Sequence, residues 1–183
     1  MALSGKVALV TGAGQGIGKA IALKFGKERC SVVVNDINID TAKHVSQEII
    51  DGGGVALALR ADVANFGEVS QMAKLVFSHF LKIDILVNNA AISPRKEGGR
   101  VPVYEIDEED WDRVININLK GVFNCCKAII PYMIAQGGGR IINISSEVAK
   151  SGGRIFGSSG AHYAASKAGI IGFTKSLAME LAQ

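Results

Sequence analysis

The residues best suited to chemistry are a phenol and an ammonium four positions apart, in Tyr163-Ala-Ala-Ser-Lys167. On a helix, side chains at i and i+4 share one face about a turn apart. A lysine so placed favours the phenolate, since a cation ~4 Å away supplies roughly 4 kcal/mol at an effective dielectric near 20. A tyrosine biased in this way can pass a proton to or from an oxygen as a general acid/base. The same spacing also describes an ordinary solvated helix face, so the reading needs a reaction partner elsewhere in the chain. His162 competes for the role as the usual proton carrier near neutral pH. Adjacent helical side chains point about 100° apart, however, and His162 is read as lining a substrate loop or lying on the surface.

A partner is implied by Lys6-Val-Ala-Leu-Val-Thr-Gly-Ala-Gly-Gln-Gly-Ile-Gly18, an apolar strand that runs through a glycine-rich turn into a helix. Gly12 permits a tight turn, Gly16 lets a pyrophosphate approach the backbone, and Gly18 lets the helix pack on the strand. The amides at the helix start then face an anion. Asp36 ends the next strand close to the ~20-residue offset expected of an acid that binds ribose hydroxyls. A carboxylate there accepts from both hydroxyls and repels a 2′-phosphate, while Gln15 and Ile37 offer no cation to offset that repulsion. NAD is therefore favoured over NADP.

These residues must be positioned by alternating elements. Strands are predicted at 31–36, 55–60, 83–88 and 140–145. Helices are predicted at 41–51, 68–80, 108–119 and 121–136, with a last one from Ala161 to the end. The polar segment Pro94 to Pro102 is predicted as a surface loop. Strands separated by helices call for right-handed crossovers and a parallel sheet covered on both faces, a doubly wound Rossmann-like α/β fold. By the carboxyl-end rule, Asp62-Val63 and Asn88-Asn-Ala-Ala91 close the third and fourth strands on the rim that holds the glycine turn.

Composition agrees with one domain over 1–183: 48% of the residues are apolar, enough for a real core. A net charge of +3 and a pI near 8.8 are too mild to argue for nucleic acid. No apolar run approaches the ~20 residues of a membrane span, and the first residues lack a signal-peptide pattern, so a cytoplasmic protein is expected. Cys30, Cys125 and Cys126 have no metal-type spacing and are read as buried thiols, with no metal site expected.

Taken together, Thr11-Gly-Ala-Gly-Gln-Gly-Ile-Gly18, Asn88-Asn-Ala-Ala91, Asn118, Ser146 and Tyr163-x-x-x-Lys167 closely resemble the short-chain dehydrogenase/reductase family, over the whole chain and in order. The resemblance implies an oxidoreductase that moves a hydride between NAD(H) and a secondary alcohol or ketone. It assigns Tyr163 as general acid/base, Lys167 as ribose anchor and fixed cation, Ser146 as the hydrogen-bond partner of the reacting oxygen with Ser145 as runner-up, and Asn118 as holder of a relay water. Its implied cofactor contacts are Gly12, Gln15, Gly16, Ile17, Gly18, Asp36, Asp62, Val63, Asn89, Ala90, Tyr163 and Lys167. Sugar or polyol, hydroxysteroid-like and 3-oxoacyl thioester substrates are all admissible, the last with NADPH. A non-catalytic dinucleotide-binding or assembly subunit is the alternative.

Three departures from the family pattern stand out. Ala91 replaces a usual glycine, which is harmless if its φ stays negative. The Ser146–Tyr163 interval is a few residues long, and Gly152, Gly153, Gly157 and Gly160 are expected to form a mobile, bulged substrate loop. The chain also ends at Gln183, before the family's last two strands, so a C-terminally incomplete domain is expected. The resemblance further implies a homodimer or homotetramer, paired through the last helix and the 121–136 helix.

Overall fold

The computed structural model describes residues 3–94, 101–152 and 160–182. Its five strands are β1 (Val7–Val10), β2 (Ser31–Asp36), β3 (Val55–Arg60), β4 (Ile85–Asn88) and β5 (Arg140–Asn143). They form one sheet in the order β3-β2-β1-β4-β5. Pairing is parallel, with Leu9 opposite Val33 on one side and Leu86 on the other. The interior strands β1 and β4 are buried at every position, whereas the edge strand β3 is half-buried between exposed ends and the edge strand β5 alternates between exposed and half-buried. That is why the interior strands read as unbroken apolar runs. The expected parallel α/β fold is what the chain adopts.

Two compact units make up the chain: 1–90 with 123–142, and 91–122 with 143–183. In the first, helices α1 (Gly16–Lys27), α2 (Ile39–Asp51) and α3 (Phe66–Phe80) alternate with β1–β4. Gly26 lets α1 close on α2, since a Cβ there would lie 2.7 Å from Ile49 Cγ2. Both α2 and α3 begin two residues before the predicted start. Asn38 accepts from the amides of Asp40 and Thr41, and Asn65 from those of Gly67 and Glu68, so each asparagine caps an added first turn. Strand β4, by contrast, starts two residues late. The Gln136 side chain takes both the N–H and the C=O of Ile83, removing that residue from the ladder.

The second unit holds α4 (Glu108–Ile115), the short α6 (Val148–Ser151) and α7 (Ala161–Glu180). The two helices predicted at 108–119 and 121–136 are not separate. A π-helical stretch, Asn116–Lys120, joins α4 directly to α5 (Gly121–Ala135). Part of the predicted 94–102 loop, residues 95–100, lies outside the described residues, as do Gly153 and Gly157 of the expected substrate loop. Within that loop, α6 forms a helical turn that the sequence did not announce. Ala91 is not among the residues with positive φ, so its substitution for glycine costs the backbone nothing. Among the described residues, no helix is long and apolar enough to cross a membrane.

Candidate functional site

In the first unit, β1 hands its last residue to a turn built for close approach. Gly12 has φ +60°, and a Cβ on it would lie 2.7 Å from Ala90 Cα. Gly18 sits beneath the turn, where a Cβ would collide with the Gly12 carbonyl and come 2.5 Å from Asn89 Nδ2. Either glycine enlarged would push the 88–90 segment off the turn. That segment is tied down by hydrogen bonds. Thr11 Oγ1 accepts from the amides of Asn89 at 3.0 Å and Ala90 at 3.1 Å, and Asn89 Nδ2 donates to the carbonyls of Thr11 and Gly12, both at 3.0 Å. Asn89 and Ala90 therefore brace the turn.

The opposite face of the turn is bare. Nothing lies within 4 Å of a Cβ built on Gly16, and Ile17 beside it is 66% exposed. Helix α1 starts with no side-chain cap from Gln15 and no acidic residue in its first turn. Its leading amides and the positive end of its dipole are thus left for an anion, a fit for a dinucleotide's diphosphate. Asp36 is fixed at the rim: Oδ2 accepts from the Gly14 amide at 2.9 Å and Oδ1 from the Asn38 amide at 3.1 Å. Each oxygen keeps a second lone pair for a ribose hydroxyl.

Asp62 and Val63 are held differently. The Asp62 amide donates to Glu68 Oε2, and Asp62 Oδ1 accepts from the Ala64 amide. The carbonyls of Val63 and Ala64 both accept from Asn124 Nδ2, at 2.9 and 3.2 Å. Asn124 is 1% exposed and was missed in the sequence; an amide inside the apolar run Val122-Phe-Asn-Cys-Cys126 is the one signal it gave. All three cysteines are buried, and desolvation raises the thiols, to about 11 for Cys30 and Cys126.

In the second unit, α7 presents Tyr163, Ser166 and Lys167 within its first two turns. Lys167 is 2% exposed, and its Nζ lies 5.7 Å from the Tyr163 ring centroid. Desolvation lowers this ammonium from 10.5 to about 8. Nζ donates to the Ile144 carbonyl at 2.8 Å, and the Lys167 carbonyl accepts from Ser145 Oγ, also at 2.8 Å. These two bonds bend the chain out of the ladder, which is why β5 ends at Asn143 and not at the predicted Ser145. They also separate the two candidate serines. The Ser145 proton is spent on helix backbone, whereas Ser146 Oγ accepts from the Val148 amide at 3.3 Å and keeps its own proton to donate.

Asn118 is fully buried inside the π-helical stretch. Its Oδ1 accepts from the Ile92 amide at 2.8 Å, and Nδ2 donates to the Ile92 carbonyl at 2.9 Å and to Ser166 Oγ at 3.1 Å. With both donor protons spent, the side chain can offer a water only a remaining Oδ1 lone pair. The surface reading of His162 fails. The ring is 1% exposed, packed so closely on Gly160 that a Cβ there would lie 2.6 Å from its Nδ1, and that nitrogen is buried with no partner among the described residues.

The chain matches the family model described as short chain dehydrogenase over residues 6–183. It is 47% identical to a 3-oxoacyl-[acyl-carrier-protein] reductase of Synechocystis sp., covering 99% of this chain and 70% of that protein. It is 42% identical to the 3-oxoacyl-[acyl-carrier-protein] reductase FabG of Thermotoga maritima, covering 100% of this chain and 70% of the relative. Among solved structures, a metagenomic short-chain oxidoreductase in complex with NADP superposes with a TM-score of 0.90 at 38% identity, over 100% of this chain and 79% of that one. The bare, anion-ready turn and the Tyr163–Lys167 pair thus sit in a sequence that shares its fold with a solved short-chain oxidoreductase. The chain belongs to the short-chain dehydrogenase family and is a dinucleotide-dependent oxidoreductase acting on alcohol or keto groups.

Proposed function

We propose that the protein reduces the keto group of a 3-oxoacyl thioester to the secondary alcohol, with Tyr163 donating the proton. The observation that carries the reading is the buried cation of Lys167 beside the Tyr163 ring on α7, together with a serine proton still unspent at Ser146, between β5 and α6. Relatives named 3-oxoacyl-[acyl-carrier-protein] reductase support the substrate class. A bound dinucleotide supplies the hydride that the carbonyl carbon receives. As that carbon is reduced, the oxygen gains negative charge, which the Ser146 hydroxyl stabilises by donating a hydrogen bond. Tyr163 then delivers its proton to the same oxygen, and the Lys167 ammonium stabilises the phenolate left behind. Asn118 contributes by holding the Ile92 backbone in place.

The preferred dinucleotide in this reading is NAD(H). Asp36 supports it, because the Gly14 and Asn38 amides hold the carboxylate where a 2′-phosphate would meet a like charge. Against it stands the NADP complex of the metagenomic relative. Initial rates with a short 3-oxoacyl thioester, followed at the nicotinamide absorbance with NADH and then NADPH, test both parts. Wild-type protein is expected to favour NADH. Asp36→Ala is expected to move the NADH/NADPH ratio of kcat/KM by about 10–100-fold toward NADPH, the worth of one charge-assisted hydrogen bond. A wild type that prefers NADPH overturns the assignment to NAD, and no turnover with either cofactor overturns the thioester.

The reading extends to a homodimer or homotetramer. Helix α5 leaves Phe123 44% and Ile134 65% exposed, and α7 leaves Met179 81% exposed, more large apolar surface than two isolated helices need to show to water. Sedimentation velocity is expected to give a species of twice or four times the chain mass. A monomer at every concentration tested removes the oligomer.

A further inference from the structure

We propose that Ser166 is a positioning residue that links the Asn118 side chain to the Tyr163 backbone. This rests on the roles proposed above for Tyr163 and Asn118. Ser166 is wholly buried, and both halves of its hydroxyl are engaged. It accepts from Asn118 Nδ2 at 3.1 Å and donates to the Tyr163 carbonyl at 2.7 Å.

The donated bond is ordinary by itself, because serines inside helices commonly bond back to the carbonyl three or four residues earlier. The accepted bond is not local: it comes from a residue 48 positions away, inside the π-helical stretch. π-Bulges place an extra residue in a helix and recur where a side chain has to be re-aimed. Here the re-aimed side chain is Asn118. Its orientation is fixed by the Ile92 amide and carbonyl, which leave one Nδ2 proton over, and Ser166 Oγ receives it.

Removing the hydroxyl strands that proton in a fully buried place, so the amide must shift or the π stretch must slide along α7. Either movement passes to the Ile92 backbone and to the turn that carries Tyr163. Small residues along α7 make the seat for this contact tight. A Cβ on Gly169, one turn further on, would lie 2.8 Å from Leu119 Cδ2, so the π stretch and α7 meet with little slack.

The test is a cycle of Ser166→Ala, Asn118→Ala and the double variant, with kcat and KM measured across pH. Ser166→Ala is expected to lower kcat on the order of 10-fold, as small misplacements of reacting groups do, and to shift the midpoint of the pH–kcat profile. KM for the dinucleotide is expected to stay within about twofold, a split that a general loss of structure would not produce. Because Ser166 acts through Asn118, the double variant is expected to be no slower than Asn118→Ala. Ser166→Thr, which keeps the hydroxyl, is expected to recover most of the loss.

An unchanged kcat and pH profile in Ser166→Ala overturns the proposal, and so do losses that multiply in the double variant. If Ser166→Ala does not fold, Ser166→Cys, with a weaker donor and acceptor of similar size, takes its place in the same cycle and is judged by the same outcomes. Tyr163→Phe is measured alongside. If that variant retains full turnover, the assigned roles have failed; if it is inactive while Ser166→Ala is normal, only the link has failed.

Discussion

Tyr163→Phe is expected to lower kcat by about 10³–10⁴-fold while leaving the fold and dinucleotide affinity nearly intact. The upper part of that range is what a positioned proton donor is worth, with the loss of a hydrogen bond to developing charge added. The ring is half-buried and the Lys167 ammonium lies 5.7 Å from its centroid, over a π face that phenylalanine keeps, so phenylalanine fills the same space. Stopped-flow or steady-state rates at the nicotinamide absorbance, together with fluorescence titration of the dinucleotide, separate the two effects. The expected result is a collapse of kcat with KM for the dinucleotide within about threefold. If turnover of a 3-oxoacyl thioester survives the substitution, Tyr163 is not the proton carrier. His162 does not step in as the replacement, since its ring is packed against Gly160 and 1% exposed. If the wild type binds dinucleotide but turns over no carbonyl substrate, the binding-subunit alternative takes the place of the enzyme.

The sequence carried the framework of this site well and its fastenings poorly. Strand β2 was bounded correctly, because buried parallel strands are apolar at successive positions and end in turn residues. The glycines of the turn were legible for a similar reason: their spacing follows from backbone approach, a local requirement. What could not be read are features that depend on a side chain meeting backbone far away in sequence. Strand β5 ends early because Ser145 Oγ donates to the Lys167 carbonyl over 22 positions and Lys167 Nζ donates to the Ile144 carbonyl over 23. Strand β4 starts late because Gln136 reaches Ile83 over 53 positions.

The π-helical join between α4 and α5 was misread for a different reason. Asn116-Ile-Asn-Leu-Lys-Gly121 contains a glycine, and glycine after a lysine reads as a helix stop. Burial of Asn118 and its bonds to Ile92 and Ser166 hold the helix together through that point. His162 was read as lining a substrate loop or lying on the surface, and the surface option failed on the same account: its packing on Gly160 shows that the ring is enclosed.

Replacing Lys167 by Met is expected to stabilise the protein at pH 7 and at the same time cost at least 10²-fold in kcat. Lys167 is 2% exposed, and desolvation brings its folded-state value from 10.5 down to about 8. Below pH 8 the side chain is charged in both the folded and the unfolded chain, and the folded state bears the full penalty of burying the charge. Between about 8 and 10.5 the unfolded chain binds more protons than the folded one, so the lysine's contribution to stability rises with pH. Above 10.5 the group is neutral in both states and the penalty is gone.

A depression of this size corresponds to about 3 kcal/mol against folding at neutral pH. Methionine removes the charge while keeping the length of the stem, but it strands the Ile144 carbonyl at a cost of about 1–3 kcal/mol. The net expectation is a gain on the order of 1 kcal/mol at pH 7 that turns into a deficit by pH 10.5, read as the difference in urea midpoints between wild type and variant at each pH. Taking the difference cancels the titration of the buried thiols, which both proteins share. A variant less stable than wild type at pH 7, with a gap that does not change as the pH is raised, would show that the ammonium is not held against its own desolvation. The loss of activity follows from the same charge. A cation kept in a site that penalises it is available to stabilise a phenolate beside it, and stability given up at neutral pH is the cost of keeping that cation in place.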